Sequence, residues 1–125
     1  MEERRRFVRL NANVRVKLTK VGEISKEDLD REAASKNISE NGICVIIHKK
    51  EISAGDKLYL EIELPINKII KVEGIVMWVN EFEIFGGAYE KRFDVGIQFL
   101  KISNEDRGLI KDFAFVSLRQ KNLNQ

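Results

Sequence analysis

The chain has 125 residues and a mass of 14.5 kDa, enough for one domain with its own core. Apolar residues make up 43% and charged residues 34%, the balance of a soluble globular protein, not of a disordered or membrane-embedded one. Twenty-two basic against twenty acidic residues leave a net charge of +2. That excludes a protein whose affinity rests on a broadly basic face laid along a long polyanion.

Charge is nevertheless concentrated at the start. Arg4, Arg5, Arg6 and Arg9 fall within six positions and run directly into an apolar pattern. A guanidinium is a planar fork of donors that matches phosphate oxygens and the O6/N7 edge of guanine. By itself such a run is a solvated basic tail; a pocket needs a second polar motif to close it. From Leu10 the pattern alternates, with Leu10, Ala12, Val14, Val16 and Leu18 on one face and Asn11, Asn13, Arg15 and Lys17 on the other. Period two over nine residues predicts a half-buried strand.

Thr19 to Ser35 reads as a long connection. Ser25 with Asp28 three residues on offers a helix start, but Leu29, Ala33 and Ala34 make a thin apolar face. Its far end, around Glu32 to Lys36, is read as the entry to a second strand. Asn37 to Gly42 is then a turn, and Ile43 to Ile47 a buried strand with Cys44 as core filler. Beyond the turn at Ser53 to Asp56, Leu58, Leu60, Ile62 and Leu64 alternate with Lys57, Tyr59, Glu61 and Glu63. Pro65 closes that strand. The next carries Ile70, Val72, Gly74, Val76 and Trp78 on its inner face, Gly74 marking a bend or close backbone approach. Asn80 to Arg92, with Gly86-Gly87, reads as a long hairpin loop, followed by a strand with Phe93, Val95, Ile97 and Phe99 inward.

The end of the chain changes period. Ser103 with Asp106 three residues later begins a helix, and Leu109, Ile110, Phe113 and Val116 follow at helical spacing. Phe115 and Leu118 lie outside that stripe and are read as widening one buried face, the alternative being a second contact to another chain or domain. The elements together predict an all-β architecture, an antiparallel barrel or sandwich of six strands with a C-terminal helix. The whole of 1–125 is taken as one domain: an arginine arm over about 1–9, a barrel over about 10–100 and a helix over about 103–119.

Chemistry narrows the function classes. His48 is the sole histidine and Cys44 the sole cysteine, so neither a histidine-cysteine zinc site nor a histidine-based nucleophile arrangement has its parts. No phosphate-loop glycine pattern and no G-x-S-x-G occurs. The expectation is a non-enzyme with no cofactor. A lone cysteine forms no internal disulfide, and a charged start with no long apolar run predicts neither signal peptide nor spanning helix. A cytoplasmic protein without membrane insertion is expected.

Two motifs stand out in combination. Arg5-x-x-x-Arg9 precedes the first strand, and Asn37-x-Ser39-x-x-Gly42 sits near the second. They are followed by Gly74-Ile75-Val76-Met77-Trp78, Gly96-Ile97-Gln98-Phe99 and the terminal helix. With these the chain resembles the PilZ domain family, bacterial receptors for cyclic di-GMP, over nearly its whole length, from about Glu3 to about Arg119. The resemblance implies a six-stranded antiparallel β-barrel of PilZ type. It implies a ligand site made of Arg5, Arg9, Asn37, Ser39 and Gly42, with Arg4 and Arg6 as assistants. Asn37 stands where the family often has Asp, so its contact to guanine is made by an amide that both donates and accepts. Gly42 is expected to let the backbone approach the ligand.

The function so implied is a cyclic di-GMP receptor whose arm changes conformation on binding and signals through a partner protein. The alternative is a PilZ-type interaction module that ignores nucleotide. DNA and RNA are not expected partners: Trp78, Phe93 and Phe99 are placed on core faces, leaving only Tyr59 outward on a strand for base stacking.

Overall fold

The computed structural model describes residues 14–22, 31–49, 51–65, 67–87 and 91–123. Six strands and one helix follow in the order β1 (Arg15–Lys20), β2 (Arg31–Ile38), β3 (Gly42–Ile47), β4 (Lys57–Leu64), β5 (Lys68–Glu83), β6 (Lys91–Lys101) and α1 (Asn104–Leu123). All pairings are antiparallel, and the strands close into a barrel in the order β1-β2-β3-β6-β5-β4, with β4 returning to β1. Closure pairs each strand on both sides within the barrel, which removes the open sheet edges there.

The alternation read from the sequence sets the barrel's inner face. Val14, just before β1, and Val16 and Leu18 of β1 share one core cluster with Leu58, Leu60, Ile62 and Leu64 of β4 and Ile70, Val72 and Val76 of β5. Gly74 belongs to that inner face. A Cβ there would stand 2.6 Å from Ile97 Cγ2 and 3.0 Å from the Gln98 carbonyl, so the close approach predicted for this position is real. Ser35 is a buried polar residue on the inner face: its hydroxyl accepts the Val14 N–H at 2.9 Å, and its own N–H donates to the Val14 carbonyl at 2.9 Å. That exchange satisfies groups that burial would otherwise penalise.

α1 covers the barrel interior with Ile110 and Ala114, flanked by Leu109 and Phe113. Complete burial of Ile110 alone is worth roughly 1.5–3 kcal/mol. Ser103 caps the helix as its spacing predicts, its hydroxyl accepting the Asp106 N–H at 3.0 Å, with Glu105 and Asp106 placed favourably for the helix dipole. Phe115 departs from the buried-face expectation: it is 66% exposed, lying round the helix from the Ile110–Ala114 stripe.

Three further expectations change. The second strand is longer than its polar sequence suggested and carries Asn37 and Ile38, so the turn shrinks to Ser39–Asn41. β5 and β6 continue past the end of β3 as a two-stranded ribbon, pairing Phe82 with Arg92 and Glu83 with Lys91. The anticipated long loop from Asn80 is therefore strand at both ends, over Asn80–Glu83 and from Lys91. Cys44 is buried but does not belong to the core cluster; it faces the outer side of the wall. The proposed helical start at Ser25 and the strand residues Leu10 to Asn13 lie outside the described residues.

Candidate functional site

Two β-bulges shape the outer wall. On β2 the register slips between Ser35 and Asn37. Ser35 and Ile38 both face inward, so the two residues between them, Lys36 and Asn37, both face outward. On β5 it slips between Val76 and Trp78. Val76 and Val79 pack inward, so Met77 and Trp78 both face outward. Strict alternation would have turned Trp78 into the core, as its sequence position suggested. Instead it is 40% exposed and Met77 54% exposed.

The registers then align four outward positions across four adjacent strands. Asn37 pairs with Cys44, Cys44 with Gly96, and Gly96 with Trp78. Gly96 has no side chain because the indole occupies that space: a Cβ there would collide with Cε2, Nε1 and Cζ2 of Trp78. The ring is thus laid along the wall by the pairing residue beneath it.

Between the bulges lies a cleft of about 290 Å³. Asn37, Ser39 and Asn41 line one side, Met77 and Trp78 the other, with Cys44, Gly96 and Gln98 between them. The β2–β3 turn is fixed by its own polar groups. The Ser39 N–H donates to the Gly42 carbonyl at 2.9 Å, and the Asn41 N–H donates to Ser39 Oγ at 3.3 Å. The Asn41 carbonyl accepts from Phe99 N–H at 3.0 Å, tying the turn to β6. Gly42 lies against that strand; a Cβ would stand 2.5 Å from the Ile97 carbonyl oxygen. The close approach visible at this glycine is between two strands of the wall.

Beside the cleft lies a buried carboxylate. The Asp94 side chain, 4% exposed, receives a two-pronged contact from Arg92, Nε to Oδ1 at 2.9 Å and a terminal nitrogen to Oδ2 at 3.2 Å. Lys36, from the β2 bulge, donates to Oδ2 at 3.2 Å across the outer side of β3. The Arg92 guanidinium also lies over the Phe82 ring, 5.1 Å from its centre.

Of the residues singled out by sequence, Asn37, Ser39 and Gly42 meet in this one cleft. Arg4, Arg5, Arg6 and Arg9 lie outside the described residues. Trp78, Met77, Asn41 and Gln98 were not picked from the sequence as site residues. Trp78 stood in a recognisable strand, but nothing in an apolar run such as Val76 to Val79 marks which residue the bulge turns outward. Among the described residues no three His, Cys, Asp or Glu side chains are grouped to hold a metal, and no helix is long and apolar enough to cross a membrane.

Against known proteins, residues 3–116 match the PilZ domain family. No curated protein matches the chain. Among solved structures it is similar to the Bacillus subtilis inhibitor of motility MotI, at 22% identity and a TM-score of 0.71, covering 99% of this chain and 53% of that one. It is similar to the PilZ domain of YcgR from Escherichia coli with c-di-GMP, at 15% identity and a TM-score of 0.74, covering 98% and 97%. The K. pneumonia MrkH–c-di-GMP complex gives 16% identity and a TM-score of 0.76, covering 99% and 57%. The chain therefore spans the full YcgR domain but only about half the length of MotI and MrkH.

Proposed function

We propose that this chain, which belongs to the PilZ domain family, is a receptor for cyclic di-GMP. The observation that carries the reading is the outward row Asn37–Cys44–Gly96–Trp78, which brings the Asn37-x-Ser39-x-x-Gly42 motif and a flat indole to the two sides of one cleft. The spacing suits a planar base. Trp78 offers it a π-face, and the Asn37 amide offers a donor and an acceptor to its edge. A single outward indole at a cleft of this size, in a chain of net charge +2, suits one nucleotide ligand better than the stacked track of a nucleic-acid polymer.

Arg5 and Arg9 supply the anion-binding half. Arg9 precedes Val14 by five residues, a reach of at most about 18 Å. Val14 is bonded to Ser35, two positions before Asn37 on β2. The arm is thus tethered beside the strand that carries the motif, within range of a ligand in the cleft. Guanidinium forks there would pair with phosphate and with guanine O6/N7. Binding draws the arm onto the wall, and the rearranged surface is passed to a partner protein in the cytoplasm.

Calorimetric titration with cyclic di-GMP tests this directly, with Trp78 emission as a local reporter, since the chain has one tryptophan. Saturable heat with a matching change in emission is expected; silence in both at micromolar nucleotide refutes the reading. Arg9→Ala should weaken binding by at least tenfold, the loss of one charge-assisted contact worth roughly 1.5–3 kcal/mol. A second reading, an interaction module indifferent to nucleotide, draws on Phe85 and Phe115, which are 88% and 66% exposed. Partner capture unaffected by cyclic di-GMP would favour it.

A further inference from the structure

We infer that Lys36, outside the two motifs, is a further ligand-binding residue: a cation held at the cleft's edge by Asp94 to receive a phosphate of the bound dinucleotide. The inference rests on the receptor reading above and adds to it a residue and a charge.

The β2 bulge is the first observation. It turns two consecutive residues outward, so Lys36 leaves the wall on the same side as Asn37, whose side chain lines the cleft. The second is where its ammonium goes. Lys36 crosses β3 to Asp94, two residues before Gly96 on β6, which puts the charge roughly 7 Å along the strand from the cleft floor. The third is size. At about 290 Å³ the cleft sits at the bottom of the range for small-molecule sites, roughly 300–1,000 Å³. A cyclic dinucleotide with two bases and two phosphates overhangs it, and the neighbouring row holding Asp94 is one direction in which it extends.

Charge accounting separates Lys36 from Arg92. Arg92 is committed: its fork holds both carboxylate oxygens of Asp94, and its flat face lies over Phe82. One guanidinium already balances one carboxylate, so Lys36 leaves the trio with a net charge of +1. Its ammonium has three protons and gives one to Asp94, and its side chain is half exposed beside a nearly buried partner. Asp94 therefore acts as a positioning residue. It fixes where the lysine ends without neutralising it, and the remaining protons are open to a phosphate.

The test is titration of wild type, Lys36→Met and Lys36→Arg with cyclic di-GMP at several salt concentrations, with melting temperatures measured alongside. Methionine keeps the apolar stem and removes the charge. If the inference holds, Lys36→Met binds about tenfold more weakly with a shallower salt dependence, and Lys36→Arg recovers most of both. The melting temperature of Lys36→Met should stay close to wild type, because Arg92 still balances Asp94. Wild-type binding with Lys36→Met unchanged overturns this inference and leaves the receptor reading standing. Weakened binding with unaltered salt dependence, or no recovery with arginine, assigns Lys36 to packing and overturns it too. If wild type itself does not bind, the receptor reading fails and this inference falls with it.

Discussion

Gly42→Ala separates the scaffold role of a motif residue from any role in binding. The added Cβ would stand 2.5 Å from the Ile97 carbonyl oxygen, a backbone atom that cannot rotate away as a side-chain end can. Carbon and oxygen need at least about 3.0 Å, so β3 and β6 must part locally by about 0.5 Å. The bond from Phe99 N–H to the Asn41 carbonyl, now 3.0 Å, would then lengthen to about 3.5 Å, beyond the useful range of about 2.7–3.2 Å. Strain from an extra carbon in a packed site costs roughly 1–3 kcal/mol, and a lost backbone bond roughly 0.5–1.5 kcal/mol. Restricting the unfolded chain returns roughly 0.4–1 kcal/mol. Taken at the middle of each range, the net is a loss of about 2–3 kcal/mol.

For a domain of this size that corresponds to a fall in melting temperature of about 6–15 °C. Thermal unfolding followed by far-UV circular dichroism measures it without ligand. Gly108→Ala is the matched control: the position lies in α1, a Cβ there meets nothing within 4 Å, and the helix should gain about 0.5–1 kcal/mol. A Gly42→Ala protein melting within about 1 °C of wild type would refute the strand-contact argument and return this glycine to the ligand.

Two other outcomes follow from the same geometry. Gly96→Ala should displace the Trp78 indole, whose atoms occupy the position of the new methyl group; because Trp78 is partly exposed and can swing outward, the stability loss should be smaller than for Gly42→Ala, while tryptophan emission shifts in the ligand-free protein. Ser103→Ala removes the oxygen that accepts the Asp106 N–H and should cost about 1 kcal/mol, read as a fall in chemical denaturation midpoint with unchanged slope.

How much of this was legible follows from what burial does to a sequence. Where one face packs and the other meets water, as in β4, alternation names every inward residue from Leu58 to Leu64. The barrel's inner half was readable for that reason, as was the cap at Ser103. The ribbon beyond the barrel was not. Residues Asn80 to Glu83 have no interior to line, so they carry no period and pass for a loop. Both bulges were hidden too. Val76, Met77, Trp78 and Val79 are all apolar, and either phase of alternation fits them equally well. Ser35 to Asn37 are all polar and fit turn or strand. The motif glycine and serine could be found by spacing, but the wall they face could not.

Those two hidden slips are what make the wall a site. In a regular strand running out from Ser35, Lys36 would face solvent and Asn37 the core, where an unpaired amide would carry a desolvation penalty. In a regular strand running on from Val76, Met77 would face solvent and Trp78 the core. One extra residue on each strand reverses both, delivering Asn37 and Trp78 to the outer surface and leaving Ile38 and Val79 to resume the inner packing. Each bulge also presents a second outward residue, Lys36 beside Asn37 and Met77 beside Trp78. Met77 and Trp78 together make one bank of the cleft, while Lys36 reaches past the other to Asp94, and Gly96 is left bare beneath the indole. Register, more than the identity of any one side chain, turns the closed wall of a small barrel into a surface with an amide on one bank and an aromatic plane on the other.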